Sequence, residues 1–284
     1  MKAREVRIPA ALVDAVVVDE TQRQGYDVVY EAALSGQDRR DDPEPPQPAF
    51  SSRLVIARRA QQELHDNAVI NFGFGIPDQI AKLIDRDGHA ERYFQTIEHG
   101  TYGGRLMDGD LFGYAMNPSC MIDGPSQFDF YSGGGLDIAF LGFGEIDAAG
   151  NVNVSKLAGN TVGPGGFIDI AQNARKVVFC GTFDTGGARL ETGDGTLQVT
   201  SHGRIPKLVE KVDQITFSGP QASVQGQHVI YVTERAVFEL REDGVHLVEI
   251  APGIDLQADV LDRMGFTPRM ELPLSEMTSG LFKE

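Results

Sequence analysis

From residue 51 onward the apolar positions alternate between two rhythms. Leu54, Ala57, Ala60 and Leu64 recur every three or four residues behind Ser51 and Ser52, either of which can cap a helix. AVINFG (68–73) is a short apolar run that reads as a strand. It ends in the turn GFGIP, where Pro77 suits the first turn of the next helix, PDQIAKLI. YFQTI (93–97) reads as another strand and stops at Glu98. LDIAFLG (136–142) is uninterrupted, as expected of a strand buried on both faces of a sheet. NVNVS alternates, FIDIAQNA has a helical rhythm, and KVVFCG is again a buried strand. Strands alternating with helices predict an α/β fold: an open, largely parallel sheet with flanking helices.

The C-terminal part is richer in strand. LETGDGTLQV carries an Asp-Gly pair suited to a hairpin turn. QITFSG, HVIYVT, AVFELR and VHLVEI follow as strands, and APGIDLQADVLDRMGF closes as a helix. The first fifty residues differ. VRIPAALVDAVVV reads as a strand with its approach, and GYDVVYEAAL as a weaker second element. SGQDRRDDPEPPQPAFSS then sets four prolines among charges, the composition of a linker or surface arm. The predicted organisation is an arm and linker over residues 1–50 and one domain over 51–284, with no internal repeat.

Composition narrows the function. The net charge is −16 and no basic run is present, which excludes a nucleic-acid footprint. Gly supplies 33 of 284 residues, about 12% against a usual share of roughly 7%. The glycines cluster as GFG, GTYGG, SGGG and GPGG, marking sharp turns and close approaches of backbone to a ligand. The two cysteines, Cys120 and Cys180, form neither a metal spacing nor a disulfide framework. The apolar N-terminal stretch is short and broken by Pro9, Asp14 and Asp19. The expectation is a soluble cytoplasmic protein with no membrane and no metal.

Four constellations could carry chemistry. TIEHGTYGG (96–104) puts Glu98 at the end of a buried strand and surrounds it with turn residues. INFGFGIPDQIA (70–81) is a glycine turn between strand and helix that can aim N–H groups at an anion, although it lacks the third glycine of a dinucleotide fingerprint. SGGGLD (132–137) opens a buried strand. In AGNTVGPGGFIDIAQNARK (158–176), Gly163, Gly165 and Gly166 precede a helix and present free N–H groups. In open α/β sheets ligands gather at the carboxyl ends of strands, where AVINFG, YFQTI and NVNVS would deliver these loops. His99 reads as a polar loop residue, having no Ser or Cys nucleophile beside it, and Cys180 as a buried small hydrophobe. Asp123, Asp129 and Asp137 lack metal spacing. Tyr102 and Phe167 suit either a ligand contact or a core role.

From about Ser51 to its end the chain resembles the family I CoA-transferases, in particular the carboxyl-terminal, glutamate-bearing (β-type) half of the propionate/acetate CoA-transferases. The resemblance rests on NFGFGIP, the E-x-G-x-x-G signature at Glu98, Gly100 and Gly103, QFDFYSGGGLDIAFLG, GNVNVSK, GPGGFIDIAQNARKVVFCGTF, VTERAVFEL and EIAPGID. RIPAALVDAVVV looks like the last portion of the family's amino-terminal half, the remainder of which is missing. The implied fold is the CoA-transferase-like, NagB/RpiA-type sheet.

The resemblance implies an acyl-CoA:carboxylate CoA-transferase acting on short-chain acyl groups. In it Glu98 attacks an acyl-CoA, and a glutamyl-CoA thioester forms by a ping-pong route. Gly166 and the N–H of Phe167 fall where the family supplies oxyanion donors, and Asn71 where some relatives supply a side-chain amide. Gly73, Gly75, Gly100, Gly103 and Gly165 are implied at the substrate and CoA site. Lys156 is a candidate phosphate or pantetheine contact, with a solvated lysine as its alternative. Coenzyme A is a substrate, so no cofactor is implied. The implied partners are acyl-CoA and carboxylate substrates, with an α-type subunit, a homo-oligomer or both. Three departures stand out: His99 where relatives carry a small or amide residue, the bulky acidic segment LMDGDLFGYAMNP, and the absent amino-terminal half. A non-catalytic half-protein and an acyl-CoA hydrolase are the alternatives on the same fold.

Overall fold

The computed structural model of the chain describes residues 2–3, 6–41 and 47–284. The middle of the expected linker, Asp42 to Pro46, lies outside the described residues. The main sheet has ten strands: β1 (Val69–Phe72), β2 (Phe94–Ile97), β3 (Thr101–Tyr102), β4 (Cys120–Met121), β5 (Ile138–Gly142), β6 (Lys176–Cys180), β7 (His228–Val232), β8 (Ala236–Arg241), β9 (Gly244–Ile250) and β10 (Arg269–Glu276). In space they run β10-β9-β8-β7-β6-β5-β1-β2-β3-β4. The five central strands, β2-β1-β5-β6-β7, are all parallel. Antiparallel pairings add β8 and β9 on one side and β3 and β4 on the other, while β10 lies parallel to β9.

The parallel centre follows from the unbroken apolar runs. Along β5 and β6 successive side chains point to opposite faces, and each face has its own core. Ile138, Phe140, Val178 and Cys180 face one core, which receives α1 (Ser52–Gln61) and α2 (Asp78–Arg86). Ala139, Leu141, Val177 and Phe179 face the other, with α3 (Gly124–Phe130), α4 (Phe167–Asn173) and α5 (Gly219–Gln225) on that side. Each fully buried Ile or Phe contributes on the order of 1.5–3 kcal/mol, so a strand sealed on both sides is strongly held. Ser51 caps α1 as expected, its Oγ accepting from Leu54 N at 3.4 Å.

The hairpin in LETGDGTLQV forms as predicted. Arg189–Gly193 pairs antiparallel with Thr196–Ser201, and Asp194 (φ 51°) and Gly195 (φ 85°) take the left-handed backbone that such a tight turn requires. Other expectations are corrected. VRIPAALVDAVVV is not a strand: it makes one short turn at Ala10–Leu12, and Val16, Val17 and Val18 are 80–89% exposed. An apolar run alone cannot be a strand without an edge to pair with. GYDVVYEAAL yields only a turn, Ala32–Leu34, which packs Ala33 and Leu34 on Met116.

NVNVS does not join the main sheet. Only Val152–Asn153 pair, with Glu145–Ile146, because Asn153 Oδ1 accepts from both Ser155 N and Lys156 N and turns the chain away. QITFSG is irregular apart from a single bridge from Phe217 to Val152, and Ser218 then caps α5. The expected closing helix is one wide turn, Leu256–Val260, followed by a tighter one, Leu261–Arg263. Val260 leaves helical backbone (φ −121°, ψ −71°), and Gly265 N donates instead to Leu208 O. Among the described residues no helix is long and apolar enough to cross a membrane.

Candidate active site

Glu98 sits at the carboxyl end of β2, in the three-residue turn to β3. Gly100 N donates to Ile97 O at 2.9 Å and closes that turn. Gly100 has φ +110°, and a Cβ there would lie 2.1 Å from Ile122 O. Gly103 (φ +64°) is packed likewise, with a Cβ position 2.8 Å from Ser119 Oγ. Both signature glycines therefore shape the turn by packing against protein, not by facing the cleft beside Glu98. His99 is exposed, and its Nε2 lies 3.1 Å from Thr101 Oγ1.

Beneath the carboxylate lies a buried polar chain. Thr96 Oγ1 donates to Ile70 O at 2.8 Å, so the hydroxyl of Tyr131, 2.6 Å away, donates to Thr96. Tyr131 oxygen is then left to accept from Asn71 Nδ2 at 3.4 Å. The same Nδ2 lies 3.4 Å from Thr96 O and donates to Glu98 Oε2 at 3.2 Å. Carbonyl and carboxylate acceptors surround the Nδ2 end, which assigns the amide orientation. Asn71 and Tyr131 are both essentially inaccessible to solvent. Burial pushes the Tyr131 phenol up to about 12, so it stays protonated in the working pH range.

Glu98 and Asn71 open into a cleft of ≈ 430 Å³, which Gly73, Gly165, Gly166 and Phe167 also line. Gly166 packs beside Glu98: a Cβ on it would lie 3.4 Å from Glu98 Cγ and 3.2 Å from Phe128 Cζ. It caps α4, and its N–H makes no hydrogen bond among the described residues. The N–H of Phe167 is different, donating to Pro164 O at 3.1 Å within the turn. Of the two N–H groups, Phe167's is spent within the turn, while Gly166's has no partner among the described residues. Val162 N and Gly163 N both donate to Ser155 O, which anchors the loop.

The remaining candidates lie elsewhere. Gly75 (φ +98°) spends its N–H on Asp78 Oδ2 at 3.0 Å and does not line the cleft. Lys156 pairs with Asp213 at 3.2 Å, both side chains partly exposed, away from the cleft lining. Cys180 is buried as expected, and burial pushes its thiol well above the usual range. Among the described residues no three His, Cys, Asp or Glu side chains gather as a metal-holding group.

Several residues in the cleft or behind it carry no signal in the sequence. Tyr131 lies in the aromatic run QFDFY, but nothing in its spacing marks a buried hydroxyl. Phe74 and Phe112 line the cleft from two different loops, and their rings meet edge-on with centroids 5.3 Å apart. Phe143 lines it too, with Lys207 Nζ 4.4 Å from its ring centre. Beyond the ends of β6 and β7 lies a buried ionic group: Arg235 binds Asp184 at 2.9 Å and Glu234 at 3.2 Å, and Glu234 accepts from Phe183 N.

No family model matches the chain. Acetate CoA-transferase YdiF of Escherichia coli O157:H7 is 45% identical over 280 residues, 98% of this chain and 53% of that protein. A crystal structure of the acyl-CoA transferase YdiF from that strain, as a thioester complex with CoA, matches with a TM-score of 0.87 at 43% identity, covering 99% of this chain and 52% of that one. Caffeate CoA-transferase of Acetobacterium woodii is 44% identical over 292 residues, 100% of this chain and 56% of the relative. Acetate CoA-transferase subunit beta of E. coli K12 is 26% identical over 218 residues, 73% of this chain and 89% of that subunit. The chain spans about half the length of the first two relatives and covers most of the third.

Proposed function

The chain belongs to the CoA-transferase family, and from that premise we propose that it is the glutamate-bearing, β-type half of a short-chain acyl-CoA:carboxylate CoA-transferase. The observation that carries the reading is the placement of Glu98 between the Asn71 amide and the Gly166 backbone, inside an apolar cleft.

The chemistry balances without an added proton or cofactor. Glu98 carboxylate attacks the thioester carbonyl, the C–S bond breaks, and CoA leaves as thiolate from a mixed anhydride. The thiolate attacks the glutamyl carbonyl and expels the first acyl group as its carboxylate, leaving a glutamyl-CoA thioester. An acceptor carboxylate then attacks that thioester and the same two steps run in reverse, restoring Glu98. When the glutamyl carbon becomes tetrahedral, its oxygen carries the charge, and the Asn71 amide already points at that oxygen. Gly166 N–H is the backbone candidate for the second donor. Such preorganised donors are worth about 2.7–4 kcal/mol each. Apolar walls favour survival of the anhydride and thioester by limiting water.

A partner half is part of the proposal. A subunit beta covers 73% of this chain, and the longer relatives extend well beyond it. Relatives named for acetate and for caffeate align about equally well, so identity alone does not choose the acyl group. The test is CoA exchange between acetyl-CoA and propionate, with and without the complementary half of a long relative. Parallel double-reciprocal plots support the reading. Thioester loss that is independent of the acceptor acid points to hydrolysis, and no turnover in either arm points to a non-catalytic half-protein.

A further inference from the structure

Among the cleft walls, one side chain arrives from a hairpin that contributes nothing else. Arg105–Leu106 pairs antiparallel with Ala115–Met116, and the loop between them reaches the cleft through Phe112 alone. That loop is braced on three sides. Asp108 is ion-paired to Lys82 of α2 at 2.6 Å, Met107 N donates to Tyr114 O, and the Tyr114 hydroxyl donates to Gln24 O at 2.7 Å. Gly109 (φ +57°) and Gly113 (φ +95°) supply the bends on either side of Phe112.

Phe112 is half-buried, and its ring meets that of Phe74, which is 67% exposed. Other walls, such as Leu141, Phe143 and Ile170, are also core residues and cannot be varied without disturbing the sheet. Phe112 belongs to neither of the two large cores, so its bulk is spent on the mouth of the cleft. Apart from Glu98 and Asn71 the lining side chains are apolar, so discrimination here acts through shape.

We propose that Phe112, backed by Phe74, limits the size of the acyl group presented to Glu98, favouring small aliphatic acyl groups over aryl ones. The inference rests on the Glu98 reading. Changing the fit of an apolar pocket shifts discrimination by roughly 10–200-fold.

The test is the initial rate at which Glu98 acquires CoA from acetyl-CoA and from 3-phenylacryloyl-CoA, in the parent chain and in Phe112→Ala and Phe112→Leu. The acetyl-to-aryl rate ratio should fall about tenfold or more in Phe112→Ala, with Phe112→Leu between. Phe74→Ala should lower it in the same direction, which covers the case of a poorly folded Phe112 variant. A ratio that stays constant while both rates fall overturns the inference and leaves the Glu98 reading intact. A parent chain that takes CoA from neither donor, alone or with the complementary half of a long relative, overturns the Glu98 reading, and this inference with it.

Discussion

Asn71 donates from its amide to Glu98 Oε2 at 3.2 Å, bridging two neighbouring parallel strands whose register pairs Asn71 with Thr96. The register explains the contact: residue 98 lies two positions beyond Thr96, on the same face of the chain. Asn71→Ala should therefore slow CoA transfer to Glu98 by about 10²–10³-fold, the cost of losing one oxyanion donor. Single-turnover rates at saturating acyl-CoA measure this. Equal rates would mean that the amide merely packs.

Tyr131 touches Asn71 and Thr96 but does not line the cleft, so it is a positioning residue. Tyr131→Phe should cost about 1–3 kcal/mol of stability, the net worth of the two hydrogen bonds its hydroxyl makes. Its rate loss should be well below that of Asn71→Ala, with KM for acyl-CoA unchanged. Denaturant midpoints and a kcat-against-KM comparison give both numbers.

Gly100 tests the turn itself. Any side chain there meets the Ile122 carbonyl at 2.1 Å while holding φ at +110°, and a backbone carbonyl cannot swing away as a side chain would. Gly100→Ala should destabilise the fold by more than the 1–3 kcal/mol typical of overpacking, and displace Glu98 as it does so. Gly109→Ala is the comparison, because it has open space and shares only the positive φ (+57°). Urea midpoints of the two variants should separate clearly.

Lys207 gives a pH signature. Burial pushes its ammonium down to about 8 from the ordinary 10.5, against the opposing pull of Glu234 and Asp184, while Arg53 adds to the lowering. Between those values the unfolded chain holds a proton that the folded chain has shed, so stability from this group rises with pH across that window. Below pH 8 the partly buried charge is a penalty. Lys207→Met should therefore be the more stable form at pH 7, although Glu234 loses one counter-charge and keeps Arg235. The advantage should shrink steadily from pH 8 to 10.5 in paired thermal melts. A difference that stays flat with pH would contradict the assignment.

The parallel centre of the sheet was legible because its strands are sealed on both faces: Ile138 to Leu141 and Val177 to Cys180 need no amphipathic pattern to be recognised. Glu98 and Asn71 were legible together because the neighbouring parallel strands β1 and β2 end at one edge, whereas Gly166 arrives at the start of α4, after NVNVS, which does not join that sheet. Val16 to Val18 misled because β-branched composition describes the residue, not the neighbour it must pair with. β10 went unread since it is an edge strand, mostly exposed and interrupted by Pro273, as edges tolerate. Tyr131 and Phe112 depend on contacts between distant segments, which no local pattern encodes. Gly100 and Gly103, expected at the substrate and CoA site, instead pack closely against Ile122 and Ser119.

The most direct measurement is intact-mass and peptide analysis of the chain after incubation with acetyl-CoA and no acceptor acid. A gain of one CoA, less water, on the peptide containing Glu98, removed by added propionate and absent from Glu98→Gln, is the predicted result. CoA attached to any other residue, or an adduct that persists in Glu98→Gln, would contradict the account.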